Sequence, residues 1–293
     1  MSALRWDTDG HHWPNRAHSH FVRTMGLAWH VQSFGDPAAP ALLLLHGTGA
    51  ASHSWRDVAP VLARHAHVIV PDLPGHGFTA GRPAKGMGLP AMARAVADLL
   101  DALGADPVLI AGHSAGAAIA IGMALDGLAR PRELVGVGAA LLPIPGLAGL
   151  IFPPAARLLL ANPFAAHLFA GMARQPGEPA RFLARSTGSR IDEVGAAAYR
   201  TLFGNARHCA GALAMMASWD LPALRPRLET LATPLLLIHG PRDAAIPMAA
   251  AREAATITKA RLVEVPETGH LVHEELPEHV AGLIHARMPE VAR

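Results

Sequence analysis

Three residues of this chain stand in the order serine, acid, histidine, in which a strand–turn–helix serine site is assembled for acyl transfer. Ser114 lies in Gly112-His113-Ser114-Ala115-Gly116, after the apolar run Pro107-Val108-Leu109-Ile110-Ala111 and before the small apolar run Ala117-Ala118-Ile119-Ala120. That pattern predicts a strand, a sharp turn with serine at its tip, and a helix, the arrangement called a nucleophile elbow. The flanking glycines let strand and helix approach closely around a strained serine backbone. The turn also sets Ser114 at a helix N-terminus, where free N–H groups favour negative charge.

A serine hydroxyl is a weak nucleophile at neutral pH and needs a general base. His270, in Thr268-Gly269-His270, falls in the loop expected between the last strand and the last helix. Asp243, in Gly240-Pro241-Arg242-Asp243-Ala244-Ala245-Ile246-Pro247, directly follows a predicted strand at 235–238. It is placed to fix the imidazole tautomer and stabilise the imidazolium. The segment Gly138-Ala139-Ala140-Leu141-Leu142, the other place for the acid after the preceding strand, has no carboxylate. An oxyanion hole is expected from the backbone N–H groups of Thr48 and Ala115, because His46-Gly47-Thr48-Gly49 follows the predicted strand at 42–45. His46, His113, Trp55 and Phe152 are candidate substrate contacts, and His46 is also expected to brace the oxyanion turn. Asp72 and His76 are expected to fix their loop.

These loops need a scaffold that brings them to one edge. A wholly apolar strand is expected at 42–45 and further strands at 68–70, 134–137, 235–238 and 262–265, with a hairpin over 21–34 turning at Met25-Gly26 and helices at 52–64, 91–103, 248–258 and from 272 to 288. Residues 1–19 read as an irregular polar arm. Strands alternating with helices imply an α/β protein with a mostly parallel sheet covered on both faces. Between about 145 and 218 the pattern turns helical and is interrupted by Pro and Gly. The expected organisation is therefore a core over 1–144 and 219–293 with a helical cap at 145–218, over the strand edge where ligands bind in open α/β sheets.

Composition narrows the function. The chain has 293 residues, is 51% hydrophobic and 16% charged, and carries a formal charge of +2. That supports a sizeable core rather than disorder. Its basic residues, nearly all arginine, are scattered, which argues against a nucleic-acid partner. Cys209 is the only cysteine, so no intrachain disulfide forms, consistent with a cytoplasmic setting. Eighteen histidines invite a metal, but no His-Glu-x-x-His occurs and His270-x-x-His273 is a weak pair; no metal and no cofactor are expected. Residues 134–156 lack charge, yet repeated Gly and Pro favour a strand, a loop and a new helix over a membrane span.

With these motifs in view, the chain resembles the α/β-hydrolase superfamily over nearly its full length. Further segments sharpen the resemblance: His53-Ser54-Trp55-Arg56-Asp57, Pro71-Asp72-Leu73-Pro74-Gly75-His76-Gly77-Phe78-Thr79, Ala139-Ala140-Leu141-Leu142-Pro143, Gly146-Leu147-Ala148-Gly149, and Gly211-Ala212-Leu213-Ala214-Met215-Met216-Ala217-Ser218-Trp219-Asp220. Together these are similar to the magnesium chelatase accessory proteins of bacteriochlorophyll biosynthesis, a photosynthetic pathway. The resemblance implies a role beside magnesium insertion into protoporphyrin IX and does not by itself supply a reaction; the Ser114, His270 and Asp243 set with an apolar cap points to serine-hydrolase chemistry on a hydrophobic substrate such as a tetrapyrrole or its ester. The resemblance equally admits a non-catalytic partner that binds porphyrin or a chelatase subunit, and peripheral contact with a membrane. A generic carboxylesterase or perhydrolase is the remaining alternative. Dehalogenase-like and epoxide-hydrolase-like relatives carry an aspartate where this chain has Ser114.

Overall fold

Runs of Leu, Ile and Val without polar interruption pair stably where both faces of a sheet are covered. The structure, a computed structural model, describes residues 2–143, 164–173, 175 and 177–288. It gathers the apolar runs into one eight-stranded sheet. The strands are β1 (Ser19–Thr24), β2 (Leu27–Phe34), β3 (Ala41–Leu45), β4 (His67–Pro71), β5 (Leu109–His113), β6 (Glu133–Val137), β7 (Leu235–His239) and β8 (Arg261–Glu264). Their spatial order is β1-β2-β4-β3-β5-β6-β7-β8. The β1–β2 hairpin and the β2–β4 pair are antiparallel, and every other pairing is parallel. Strand β5, which leads to Ser114, therefore lies between β3 and β6, and β7, which leads to Asp243, is the next strand out.

Period-two alternation divides the core. Leu43 and Leu45 pack with Met92, Val96 and Ile121 of the helices Leu89–Leu103 and Ala115–Leu125. Leu42 and Leu44 face the opposite side, against Leu62, Val280 and Ile284 of the helices Val58–Leu62 and Pro277–His285. The helix Ala115–Leu125 is apolar all round and buried from Ala115 through Met123, as a helix set deep in a core should be.

Three expectations are corrected. The segment expected as one helix over 52–64 is a 3-10 turn, Ser52–Trp55, followed by the helix Val58–Leu62. The terminal helix breaks at Leu276 into Val272–Glu275 and Pro277–His285, because the residue before a proline is pushed out of helical geometry. The first 19 residues are not merely an arm. They form the short helix Trp6–Asp9 and a 3-10 turn at Arg16–His18, and Trp13 is buried with its Nε1–H donating to Ser52 Oγ at 3.2 Å.

Between β6 and β7 the described residues include the helices Ala165–Ala173, Glu178–Thr187, Glu193–Phe203 and Ala206–Ala217. Among the described residues no helix is long and apolar enough to cross a membrane.

Candidate active site

At the end of β5 the backbone turns through Ser114 with φ 51° and ψ −115°. A non-glycine residue there costs on the order of 1–3 kcal/mol and persists only when its surroundings enforce it. They do so here. The Ser114 N–H donates to Val137 O at 2.9 Å, while Ser114 O accepts from the N–H groups of Ala117 and Ala140, each at 3.2 Å. The two flanking glycines are steric necessities. A Cβ on Gly112 would sit 2.3 Å from the carbonyl carbon of Gly116, and one on Gly116 would sit 2.4 Å from Leu45 O.

The loop after β7 carries Asp243 and the loop after β8 carries His270. His270 Nδ1 lies 2.7 Å from Asp243 Oδ2. A carboxylate only accepts, so this bond places the ring proton on Nδ1 and leaves Nε2 able to accept. The other carboxylate oxygen, Oδ1, accepts from the N–H groups of Ala245 at 2.8 Å and Ile246 at 2.7 Å. The Asp243 side chain is thus fixed by its own loop before it orients the imidazole. His239 approaches Oδ2 only to 3.7 Å, and its Nε2 lies 3.1 Å from the Ile246 carbonyl.

Sequence reasoning missed what holds these two loops together. Thr187 O, at the end of the helix Glu178–Thr187, accepts from His270 N–H at 2.8 Å and from Ala244 N–H at 3.4 Å. Ser189 Oγ accepts from Leu271 N–H at 2.8 Å. The loops that carry Asp243 and His270 are therefore tied to one turn of the helical region. No local pattern announces such a bond, because Ser189 and Leu271 are 82 residues apart in the chain.

The third loop carries the turn His46-Gly47-Thr48-Gly49. Among the described residues neither Thr48 N–H nor Ala115 N–H donates to a hydrogen bond. Ser114, His270, Thr48 and His113 all line one cavity of about 220 Å³, whose remaining wall is largely apolar and includes Phe182, Leu213 and Met216. The structure thus brings the predicted serine, the histidine and the oxyanion turn to one space, with Asp243 behind the histidine.

The candidate substrate contacts divide. His113 lines the cavity, and its Nε2–H donates to His270 O at 3.2 Å. Burial, reinforced by the neighbouring His273 and His270, pushes its pKa well below the ordinary histidine value. His46 and Trp55 are corrected. His46 is fully buried, its Nδ1–H donating to Gly47 O at 2.8 Å and its Nε2 accepting from Leu73 N–H at 2.8 Å. Both of its polar atoms serve the backbone. Trp55 is fully buried and packs against His273 at a ring-centroid distance of 4.4 Å, so its indole belongs to the core. Phe152 lies outside the described residues. Asp72 does fix its loop: it accepts from His30 Nδ1–H, Ser52 N–H and Phe78 N–H. Burial alone would raise its pKa, but His30 and these bonds outweigh it and hold the carboxyl far below the usual range. Among the described residues no group of three or more His, Cys, Asp or Glu side chains is arranged to hold a metal.

An eight-stranded, mostly parallel sheet with a strained serine after its fifth strand and an Asp–His pair on the loops after its last two defines a class. The chain belongs to the alpha/beta hydrolase family, whose family model matches residues 42–283. It is similar to the magnesium-chelatase 30 kDa subunit of Rhodobacter capsulatus, 39% identical over 93% of this chain and 95% of that one. It is also similar to the pimeloyl-[acyl-carrier protein] methyl ester esterase of Aromatoleum aromaticum, 31% identical over 84% of this chain and 96% of that one. The solved structure of an alpha/beta hydrolase fold protein from Burkholderia ambifaria shares the fold with a TM-score of 0.74 at 23% identity, covering 92% of this chain and 97% of that one.

Proposed function

We propose that the protein is a serine hydrolase that cleaves an acyl ester of a hydrophobic substrate. The observation that carries this reading is the 2.7 Å His270–Asp243 bond behind a cavity that Ser114 and His270 both line. In this scheme His270 Nε2 takes the Ser114 proton as Oγ attacks the ester carbonyl. Asp243 stabilises the resulting imidazolium. The N–H groups of Thr48 and Ala115 receive the negative charge that develops on the carbonyl oxygen, an interaction usually worth about 3 kcal/mol per donor. His270 then returns the proton to the departing alcohol, and water repeats the sequence to release the acid.

The cavity, at about 220 Å³, is smaller than the roughly 300–1,000 Å³ of pockets that enclose drug-sized ligands. It suits an ester arm with a short apolar acyl or alkyl group better than an entire macrocycle. A tetrapyrrole ester would enter by such an arm, its ring remaining at the mouth.

The similarity to a magnesium-chelatase subunit favours a second reading, in which the chain binds porphyrin or a chelatase subunit and the triad is incidental. One variant separates the two. Ser114→Ala is expected to abolish fluorophosphonate labelling and hydrolysis of p-nitrophenyl butyrate at unchanged folding. In a pigment-forming host the enzyme reading expects loss of pigment with this variant; survival of pigment synthesis would favour the binding reading.

A further inference from the structure

The oxyanion turn is held from the helical region by one imidazole. His208 lies in the first turn of the helix Ala206–Ala217 and is 3% exposed. Its Nδ1 accepts from Gly77 N–H at 3.1 Å. A neutral imidazole has one donor and one acceptor nitrogen, so the proton sits on Nε2 and donates to Gly49 O, 3.0 Å away. Gly49 is the residue after Thr48. The same ring thus joins the oxyanion turn to the Gly75–Gly77 loop.

The rest of the helix reinforces this tie. Thr48 Oγ1–H donates to Met215 Sδ at 3.5 Å. At Gly211 the helix meets the Gly75 backbone so closely that a Cβ would lie 1.9 Å from Gly75 O. The helix carrying His208 is therefore seated on the core and offers a fixed point. From within the turn itself, the support is Ala50 N–H to Gly47 O at 3.1 Å and the His46 bond to Gly47 O. Gly47 O belongs to the same planar peptide as Thr48 N–H, and Ala50 N–H to the same peptide as Gly49 O, so His208 holds the carbonyl end of the peptide whose N–H end holds the Gly47–Thr48 peptide.

We infer that His208 is a positioning residue for hydrolysis: by holding the Gly49–Ala50 peptide it keeps Ala50 N–H on Gly47 O, and so aims the Thr48 N–H of the Gly47–Thr48 peptide at the oxyanion. This rests on the serine-hydrolase reading above. A donor must lie at about 2.7–3.1 Å from the oxyanion to act at full strength, so a turn whose Gly49–Ala50 peptide is free to rotate off Gly47 O loses transition-state stabilisation without losing substrate binding. Glutamine offers the same pair of groups, an amide N–H for Gly49 O and an oxygen for Gly77 N–H, whereas alanine offers neither.

The test compares wild type, His208→Ala and His208→Gln on p-nitrophenyl butyrate, with fluorophosphonate labelling and hydrogen exchange at the Ala50 amide. Expected for His208→Ala is a fall in kcat of about 10- to 100-fold, below the roughly 100- to 1,000-fold typical of deleting an oxyanion donor outright. KM stays within about threefold, and affinity for a trifluoromethyl ketone falls in step with kcat, as expected of a transition-state mimic. The Ala50 amide exchanges faster. His208→Gln recovers most of the kcat. If His208→Ala proves unfolded, His208→Gln and His208→Asn decide by the same kcat and ketone readouts: the shorter asparagine cannot span both partners and should fall well below glutamine, and equal, wild-type rates in the two would overturn the inference. A KM increase at unchanged kcat would assign His208 to substrate contact and overturn it, as would unchanged kcat in a folded His208→Ala. Wild type that neither labels nor turns over would overturn the serine reading, and this one with it; wild type that does both while His208→Ala matches it overturns this one alone.

Discussion

Two buried carboxylates lie close to one short segment of chain and do opposite things. Asp243 accepts two backbone N–H groups of its own loop and then the His270 ring. Glu274, four residues beyond His270, accepts from Arg56 Nη1 at 2.6 Å and from Tyr199 Oη at 2.8 Å. Arg56 also reaches Asp192, the N-cap of the helix Glu193–Phe203, at 2.8 Å. Neutral backbone dipoles hold Asp243 in place and leave its partner a titratable ring that faces the cavity. A guanidinium and a phenol hold Glu274, and its partners tie the helix Glu193–Phe203 to the 3-10 turn at Ser52–Trp55 and to the helix Val58–Leu62 behind it. Acid burial alone therefore does not mark a reactive site; what the acid is bonded to, and whether that partner meets the cavity, does.

The comparison breaks most sharply under substitution of each acid in turn. Asp243→Asn is expected to lower kcat by about 10⁴-fold, since the amide cannot hold the imidazole in its productive tautomer. Its melting temperature should change little, because the Asn oxygen can still accept from Ala245 and Ile246. Glu274→Ala should do the reverse. Removing one partner of a buried pair costs roughly 3–5 kcal/mol, and at about 2–4 °C per kcal/mol for a chain of this size class the melting point should fall by about 6–20 °C. Turnover of p-nitrophenyl butyrate by the folded fraction should stay within about threefold. Steady-state kinetics beside differential scanning calorimetry checks both; a Glu274→Ala protein that is stable but inactive would show that the two regions are not separate.

How far these regions can be read from the chain follows the same division. The residues now gathered at the cavity, Ser114, His270 and Thr48, each sit in a short pattern that follows the end of a strand, and such patterns are local. The side-chain direction of His46 and Trp55 is not local: His46 opens the turn at 46–49 and Trp55 follows it in sequence, and tertiary packing turns both inward. The Arg56–Glu274 pair spans 218 residues and the His208 bonds span 131 and 159, and no periodicity carries information over that distance. The break at Leu276 is visible in the chain, since Pro277 stands inside the expected helix. The burial of Trp13 rests on distant partners, His53 and Phe78 among them, and is not.

A smaller effect sharpens the contrast through pH. Burial pushes the Glu274 carboxyl up to about 7, against the pull of Arg56 and of the Tyr199 hydrogen bond. Between about 4.5, its ordinary value, and that raised value, the folded protein holds a proton that the unfolded chain has released. Stability from this group is therefore complete below pH 4.5 and is lost as pH rises through about 7. Relative to Glu274→Gln, which does not titrate, wild type should lose melting temperature steadily from about pH 5 to about pH 8. A difference between the two proteins that is flat across this range would mean the carboxyl is ionised throughout.

The smallest expected effect isolates burial itself. Arg181 and Glu178 form an ion pair with the same 2.6 Å N–O separation as Arg56 and Glu274, but the Arg181 side chain is 59% exposed where that of Arg56 is 3%. In water the Coulomb gain is screened and two long side chains lose freedom to keep one geometry, so an exposed pair is worth about 0–1 kcal/mol. Glu178→Gln should accordingly move the melting point by no more than about 2–4 °C, and raising the salt concentration should erase most of that shift. The Glu274→Ala shift should persist in the same salt, because ions do not reach a pair enclosed by protein. Equal shifts, equally sensitive to salt, would show that distance rather than enclosure sets the strength of these contacts.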